Sequence, residues 1–362
     1  MIGAGRRTLE SLAHGRDNNF NLLRMVAASA VIVSHAYALP SGPWREPFVE
    51  YGFTPGGLAV SVFFALSGFL ISASFERRPE LVAFGLARAL RIVPGLTVVT
   101  LLTALVLGPL VTRLPVADYL GDRQVWLYAP CALSLRWMTF SLPGVFDTLR
   151  FHVVNGPLWT LYYEVTCYVG LALALRAEMA VRVPRWLIFA LYVPLYLLLT
   201  HGGGPRHADA LVYAQLSLPF VLGMAAYRFR ARIPAQGIIA AGLVVAAVAC
   251  LAVGLLAFEV RMLAIAYGAL YLAQIPGRTL HRYNAIGDYS YGVYIYGWPI
   301  QQLVLLHDPT THPLVLTAIA LPAAILCGMV SWRLVEKPAL AQREALFRLA
   351  ARVLPPRAFA RP

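Results

Sequence analysis

The chain has 362 residues, of which 59% are hydrophobic and only 13% are charged, and its mean hydropathy is +0.66. A soluble domain is nearer 25% charged, so this composition excludes an ordinary soluble protein and favours a membrane protein. The net charge of +13 does not indicate a nucleic-acid partner, because the basic residues are spread over the chain rather than clustered. The four cysteines lack paired spacing, which predicts neither disulfides nor a metal site.

Ten apolar runs predict an all-α, polytopic membrane protein with about ten transmembrane helices. In chain order they are 20–39, 56–75, 86–111, 157–176, 186–200, 210–228, 236–257, 260–276, 287–306 and 313–334. A weaker run at 124–141 contains Pro130 and Arg136, and it is interpreted as an interfacial or re-entrant piece. The first run contains Arg24 and lacks a small-residue cleavage site followed by a soluble domain, so it is not interpreted as a signal peptide.

The lysines and arginines predict the orientation. With a cytoplasmic N-terminus, 22 of the 30 basic residues lie in cytoplasmic segments, 7 lie outside and Arg24 lies in the membrane. This distribution follows the positive-inside rule and also places the C-terminus in the cytoplasm. We expect one membrane domain over 1–340, surrounded by lipid, and a basic cytoplasmic tail over 341–362. A homo-oligomer is compatible with the sequence.

Two ionisable residues interrupt the first run. Arg24 and His35 are eleven residues apart, which places them on one helix face, about 16 Å apart along the axis. Because either group is costly in lipid, this face is predicted to point into the protein. Glu164, in the fourth run, lies like His35 roughly 6–11 Å below the outer surface by helix rise. We expect the two side chains to pair, either for catalysis or only to hold two helices together.

The segment FGLARALRIVP places Arg88 and Arg91 at positions i and i+3, on one helix face at the cytoplasmic side. Arg24 enters the membrane from the same side. The three guanidiniums are predicted to converge, where they would either clamp phosphates or anchor the helix ends.

Two further segments are candidates for ligand contact. The run 56–75 is rich in small residues, including Ser67 and Gly68, which let a helix or a thin ligand approach the backbone. In the run 287–306, Tyr291, Tyr294 and Trp298 share one helix face. Such a face can line a cavity or stack on a sugar, although it more often belongs to a protein core.

Six motifs occur in order over residues 17 to 340: LLRMVAASAVIVSH, FFALSGFLIS, RALRIVP, NGPLWTLYYEVTCY, GDYSYGVYIYGWP and WRLVEKP. Together they resemble the acyltransferase-3 family of integral-membrane acyltransferases, most closely the short O-acetyltransferases of bacterial polysaccharides. The resemblance implies ten membrane helices in the bacterial inner membrane. It also implies transfer of an acetyl group from cytoplasmic acetyl-CoA to a hydroxyl of a surface or exported glycan.

The resemblance also implies roles for individual residues. His35 and Glu164 would be catalytic. The donor would be bound by Arg24, Arg88, Arg91, Ser67 and Gly68, and the acceptor by Asn155, Trp159, Tyr163, Tyr291, Tyr294 and Trp298. The chain departs from the family at Gly297, where relatives often have histidine, so no catalytic role is expected there. Many relatives also carry a C-terminal serine-hydrolase-like domain, whereas this sequence stops about 25 residues after its last predicted helix. We therefore expect it to act alone or with a separate partner.

In the predicted mechanism, His35 is a neutral general base, and Glu164 fixes its tautomer and stabilises the imidazolium. An acyl-histidine intermediate is an open alternative. Succinyl-CoA is an alternative donor, because the sequence does not distinguish the two acyl groups. A transporter or flippase of lipid-linked sugars is the alternative class, but it would be expected to show internal repeats, and none is found in the sequence.

Overall fold

A computed structural model describes residues 8–13, 18–204, 206–275 and 283–353 of the protein. These residues form a bundle of helices and no β-strand, and their one bridge of extended backbone pairs Thr8 with Pro234. The main helices are α1 Phe20–Ser41, α2 Pro55–Arg77, α3 Leu81–Val111, α4 Val116–Gly121, α5 Arg123–Leu133, α6 Thr160–Val181, α7 Leu187–His201, α8 His207–Arg228, α9 Gly237–Val253, α10 Ala257–Ala273, α11 Ser290–His307, α12 Pro313–Ser331 and α13 Arg343–Val353.

Six helical segments in this part of the chain are long and apolar enough to cross a membrane. They are Phe20–Ser41, Pro55–Arg77, Leu81–Val111, Gly156–Val181, His207–Arg228 and Pro313–Arg352. The helices α7, α9, α10 and α11 have 15, 17, 17 and 18 residues, which corresponds to about 22–27 Å, slightly less than a hydrocarbon core of about 30 Å. Each of the ten predicted runs overlaps one helix, so the helical fold is confirmed, while the number of ten spans and the side of each terminus stay predictions.

The weak run at 124–141 contains only α5, whose 11 residues extend about 17 Å. A helix of this length does not cross the bilayer, in agreement with its interpretation as a shorter piece. It packs against α3.

Helix α2 lies at the centre of the bundle, between α1, α8 and α10. Its small residues allow close contact with α8. A Cβ atom on Gly68 would lie 1.9 Å from the Phe220 carbonyl oxygen, and one on Gly223 would lie 1.9 Å from the Ala65 carbonyl oxygen. The backbone of α8 occupies the space beside Gly68, so the glycine serves helix packing, and a donor contact there stays a prediction.

Gly297 has a similar explanation. A Cβ atom at this position would lie 2.7 Å from Ile32 Cγ1 on α1. One turn later, the Gln301 side-chain amide donates to the Ile32 carbonyl at 2.8 Å. The close α1–α11 contact thus has no room for the histidine that relatives often have here.

The described part of the 341–362 segment is not detached from the bundle. Helix α13 packs against α3, and Glu344 forms an ion pair with Arg78 at 2.9 Å. The Arg78 guanidinium also lies 4.1 Å from the centre of the Phe347 ring.

Candidate functional site

His35 lies in the fifth turn of α1 and lines a cavity of about 510 Å³. Other walls of this His35 cavity come from the loop after α1 (Glu46 and Thr54), the start of α2 (Ser61), Trp159 before α6, and Arg261 on α10. The imidazole contacts the edge of the Trp298 ring, with centroids 4.9 Å apart, and makes no hydrogen bond within the described ranges. Its nitrogens are therefore available to a ligand in the cavity.

The structure does not pair His35 with Glu164. The Glu164 carboxylate instead accepts hydrogen bonds from the Tyr168 hydroxyl, one turn along α6, and from Ser67 Oγ at 3.4 Å. The two residues line different cavities, which have Thr160 and Tyr294 in common.

A second, narrow cavity of about 40 Å³ adjoins the first. It is lined by Arg24, Glu164 and Tyr291, and it shares Val60, Thr160 and Tyr294 with the His35 cavity. The shared wall is held by hydrogen bonds: Thr160 and Tyr294 hydroxyls lie 2.7 Å apart, and the Tyr294 hydroxyl donates to the Pro157 carbonyl at 2.9 Å. The face of α1 that carries Arg24 and His35 thus lines two neighbouring cavities, with Arg24 at the narrow one and His35 at the wider one.

Two of the three predicted arginines converge, but not as free cations. Arg24 and Arg91 both contact Asp288 Oδ2, at 2.9 and 2.7 Å, and Arg91 also contacts Glu336 at 2.7 Å. Glu336 is fully buried and accepts from Ser331 at 3.0 Å. This four-residue cluster is neutral in formal charge, so its guanidiniums are compensated by carboxylates within the protein.

The backbone before Asp288 requires glycine. Gly287 has φ 135°, and a Cβ atom there would lie 2.5 Å from Trp332 Nε1. This residue directs the chain so that Asp288 reaches Arg24 and Arg91 at the start of α11.

Arg88 points elsewhere. It lines a cavity of about 330 Å³ between α3 and α6, next to Phe84 and Tyr168. Its Nη2 approaches Ser74 Oγ at 3.5 Å, and its Nη1 is buried without a hydrogen-bond partner in the described residues. Convergence of all three arginines is therefore wrong, and Arg88 is the one with unused hydrogen-bonding capacity.

The six predicted acceptor residues separate into two groups. Trp159 and Tyr294 line the His35 cavity, and Tyr291 lines the narrow one. The remaining three make contacts within the protein. Asn155 donates to the Ile295 carbonyl at 2.8 Å, the Trp298 indole donates to the Val153 carbonyl at 2.8 Å, and Tyr163 packs edge-on against Trp159.

Sequence reasoning assigned no role to four charged residues at these sites: Glu46, Arg261, Asp288 and Glu336. The last two belong to motifs that were recognised, GDYSYG and WRLVEKP, and the need to neutralise buried Arg24 and Arg91 would have pointed to them. Glu46 and Arg261 lie near helix ends, where nothing local distinguishes them from exposed residues. No group of three metal-ligating side chains occurs in the described parts of the chain.

Comparison with known proteins identifies the family. A model described as an acyltransferase domain, that of the acyltransferase-3 family, matches residues 17–333. The chain belongs to the acyltransferase-3 family. It is 31% identical over 338 residues to an O-acetyl transferase of Shigella phage Sf6, covering 89% of this chain and 96% of that protein. It is also 32% identical over 167 residues to nodulation protein 10 of Rhizobium leguminosarum bv. viciae, covering 45% of each. No solved structure matches.

Membership of this family, together with the O-acetyl transferase relative, shows that the protein is an O-acyltransferase. The enzyme class is therefore preferred to a transporter. Family membership also supports a location in a membrane, and the long apolar helices support the same location on physical grounds.

Proposed function

We propose that this O-acyltransferase moves an acetyl group from acetyl-CoA to a hydroxyl of a surface or exported glycan, in the bacterial inner membrane. The observation that carries the proposal is the pair of adjoining cavities on either side of the Thr160–Tyr294 wall. One contains Arg24 and lies on the side from which the donor arm would enter, although it would have to widen to admit the arm, and the other is wide enough for a sugar and contains His35.

On the donor side, we propose Arg88 as the primary ligand of the CoA phosphates. Its Nη1 has no partner in the described residues, whereas Arg24 and Arg91 are held by carboxylates. A guanidinium with free donors binds phosphate through paired hydrogen bonds. Arg24 and Arg91 would then shape the entrance and position the arm rather than supply net charge.

On the acceptor side, His35 acts on the sugar. Its neutral imidazole takes the proton of the attacking hydroxyl while the new carbon–oxygen bond forms at the thioester carbonyl. The carbon–sulfur bond breaks, and the proton passes from the imidazolium to the departing CoA thiolate. An acyl-histidine intermediate is the alternative route, in which the imidazole is the first nucleophile.

Glu164 has a different role from the one its depth suggested. With Tyr168 and Ser67 it forms a hydrogen-bonded group at the narrow cavity. We propose that this group positions the donor arm, and that Trp159 provides an apolar face for the acceptor sugar.

The mass of surface glycan from the bacterial host, with and without the gene, tests the reaction. A gain of 42 Da per modified residue, about the mass of one added acetyl group less a hydrogen, is expected from the chemistry. A gain of succinyl mass would show that the donor is succinyl-CoA instead, and an unchanged glycan would overturn the proposal.

Cysteines introduced at positions 113–123 should be labelled from outside the cell, and those at positions 78 and 230 should not. Labelling of both sets would overturn the proposed orientation.

A further inference from the structure

Arg261 lines the His35 cavity, and no step of the proposed transfer uses it. Its Nη2 donates to the Gly52 carbonyl at 3.3 Å, while its Nε is buried without a hydrogen-bond partner in the described residues. The rings of Phe53 and Phe258 lie with their centres 5.4 and 5.6 Å from the guanidinium carbon. The cation is thus held in a fixed orientation while part of its hydrogen-bonding capacity is unused.

Two nearby carboxylates, Glu259 and Glu46, are each engaged by a hydroxyl group. Glu259, two residues earlier, accepts from the Tyr196 hydroxyl at 2.7 Å. Glu46, across the cavity, accepts from Ser34, and burial raises its pKa. Within the described ranges no ion pair joins Arg261 to a carboxylate. The guanidinium of Arg261 is therefore not committed to a carboxylate of the described residues and can pair with a charged ligand in the cavity.

The rest of the wall suits a sugar. Trp159 is 42% exposed, and Thr54, Ser61 and Gln215 supply hydroxyl and amide groups. The volume of about 510 Å³ falls within the range of small-molecule sites, about 300–1,000 Å³.

We infer that the acceptor carries an anionic group, a carboxylate or a phosphate ester, which binds Arg261 while the reacting hydroxyl reaches His35. The inference rests on the proposed acyl transfer to a glycan. A carboxylate or phosphate matches the planar fork of an arginine, and a charge-assisted hydrogen bond of this kind contributes more than a neutral one. The hydroxyls of a neutral glycan could also accept from the guanidinium, but they would form weaker hydrogen bonds than a carboxylate or phosphate.

The test uses the full chain in neutral lipid nanodiscs, acetyl-CoA, and three preparations of the host glycan. The first is untreated, the second has its uronic acids reduced to neutral sugars, and the third has been freed of phosphate by mild acid and phosphatase. If Arg261 binds an acceptor anion, one of the two treatments should raise KM by about 10- to 100-fold. Which treatment does so distinguishes a sugar carboxylate from a phosphate.

The variants separate charge from structure. Arg261→Gln should show the raised KM on untreated glycan and should no longer distinguish the preparations, while Arg261→Lys should retain part of the discrimination. Arg150→Gln is the matched control, because Arg150 lies over the Trp44 ring at 5.2 Å, against the same loop, and does not line the cavity. It should behave like the parent.

Three outcomes would overturn the inference: equal KM values for all preparations with the parent, discrimination that persists in Arg261→Gln, or an equal loss in Arg150→Gln. If the parent transfers no acetyl group to any preparation, the proposed function fails instead. In that case the inference is tested separately, by measuring the binding of D-glucuronate and of inorganic pyrophosphate through changes in tryptophan fluorescence. Tighter binding to the parent than to Arg261→Gln supports it, and equal binding overturns it.

Discussion

Replacing Arg91 by methionine separates a structural arginine from a donor-binding one. Arg91 contacts Asp288 and Glu336, both at 2.7 Å, and Glu336 is 0% exposed. In Arg91→Met, Asp288 retains Arg24 at 2.9 Å, but Glu336 retains only the hydroxyl of Ser331. The variant therefore leaves a buried carboxylate without a cation.

The expected loss follows from the contact distance. Two unit charges 2.7 Å apart attract by about 6 kcal/mol at an effective dielectric constant near 20, and part of this offsets their desolvation. Breaking one side of a buried pair typically costs about 3–5 kcal/mol, which is the expected decrease in the free energy of unfolding. Removing both charges, in Arg91→Met with Glu336→Gln, should recover most of it, because the double variant has no uncompensated ion.

The matched control is Arg88→Met, the same substitution one turn away on α3. Arg88 has no carboxylate within ion-pair distance in the described residues, so its unfolding free energy should change little. Its affinity for CoA should instead fall by about 10- to 100-fold, as expected when a charge-assisted contact is lost. Unfolding in mixed micelles and CoA calorimetry on the same samples measure both quantities. The reasoning is refuted if Arg91→Met is as stable as the parent, or if Arg88→Met loses stability and keeps CoA affinity.

Three further predictions concern the His35 cavity. His35→Ala should reduce acetyl transfer by about 10²–10⁴-fold with the fold intact, measured as activity per folded molecule; a stable, active variant would exclude His35 as the base. Tyr294→Phe loses its bonds to Thr160 and Pro157 and should be about 1 kcal/mol less stable, whereas an unchanged melting temperature would show that the wall does not depend on them. Burial raises the pKa of Glu46 in the folded protein, so the fold favours the protonated carboxyl. The resulting contribution to the free energy of unfolding is fully present below about pH 4.5 and is lost as the pH rises through the raised pKa. The melting temperature of Glu46→Gln should therefore increase relative to that of the parent as the pH rises. A difference between the two melting temperatures that does not change with pH would contradict this.

Much of the fold was predictable because hydrophobic length is a property of sequence alone. Each of the ten apolar runs overlaps a helix, and the small residues of α2 were expected at a helix or ligand contact. The choice between a helix and a ligand beside Gly68 was not predictable, since either one fills the space that a missing side chain leaves. Only the position of the Phe220 carbonyl, on a helix about 150 residues later, decides it.

The candidate site shows the same limit in its electrostatics. Helix rise predicted one depth for His35 and Glu164, but Glu164 lines the narrow cavity with Arg24 and His35 lines the other, so residue counting along each helix did not predict which side chains meet. A stronger constraint was available for Arg24, because a buried cation needs a nearby anion and the chain has only 17 acidic residues. Asp288 and Glu336 meet that need for Arg24 and Arg91, whereas Arg88 and Arg261 line cavities and each keep a buried nitrogen without a hydrogen-bond partner in the described residues. Arg88 lies beside the proposed donor route and Arg261 beside His35, so the partners of each arginine separate those that hold the fold from those proposed to bind an anionic substrate.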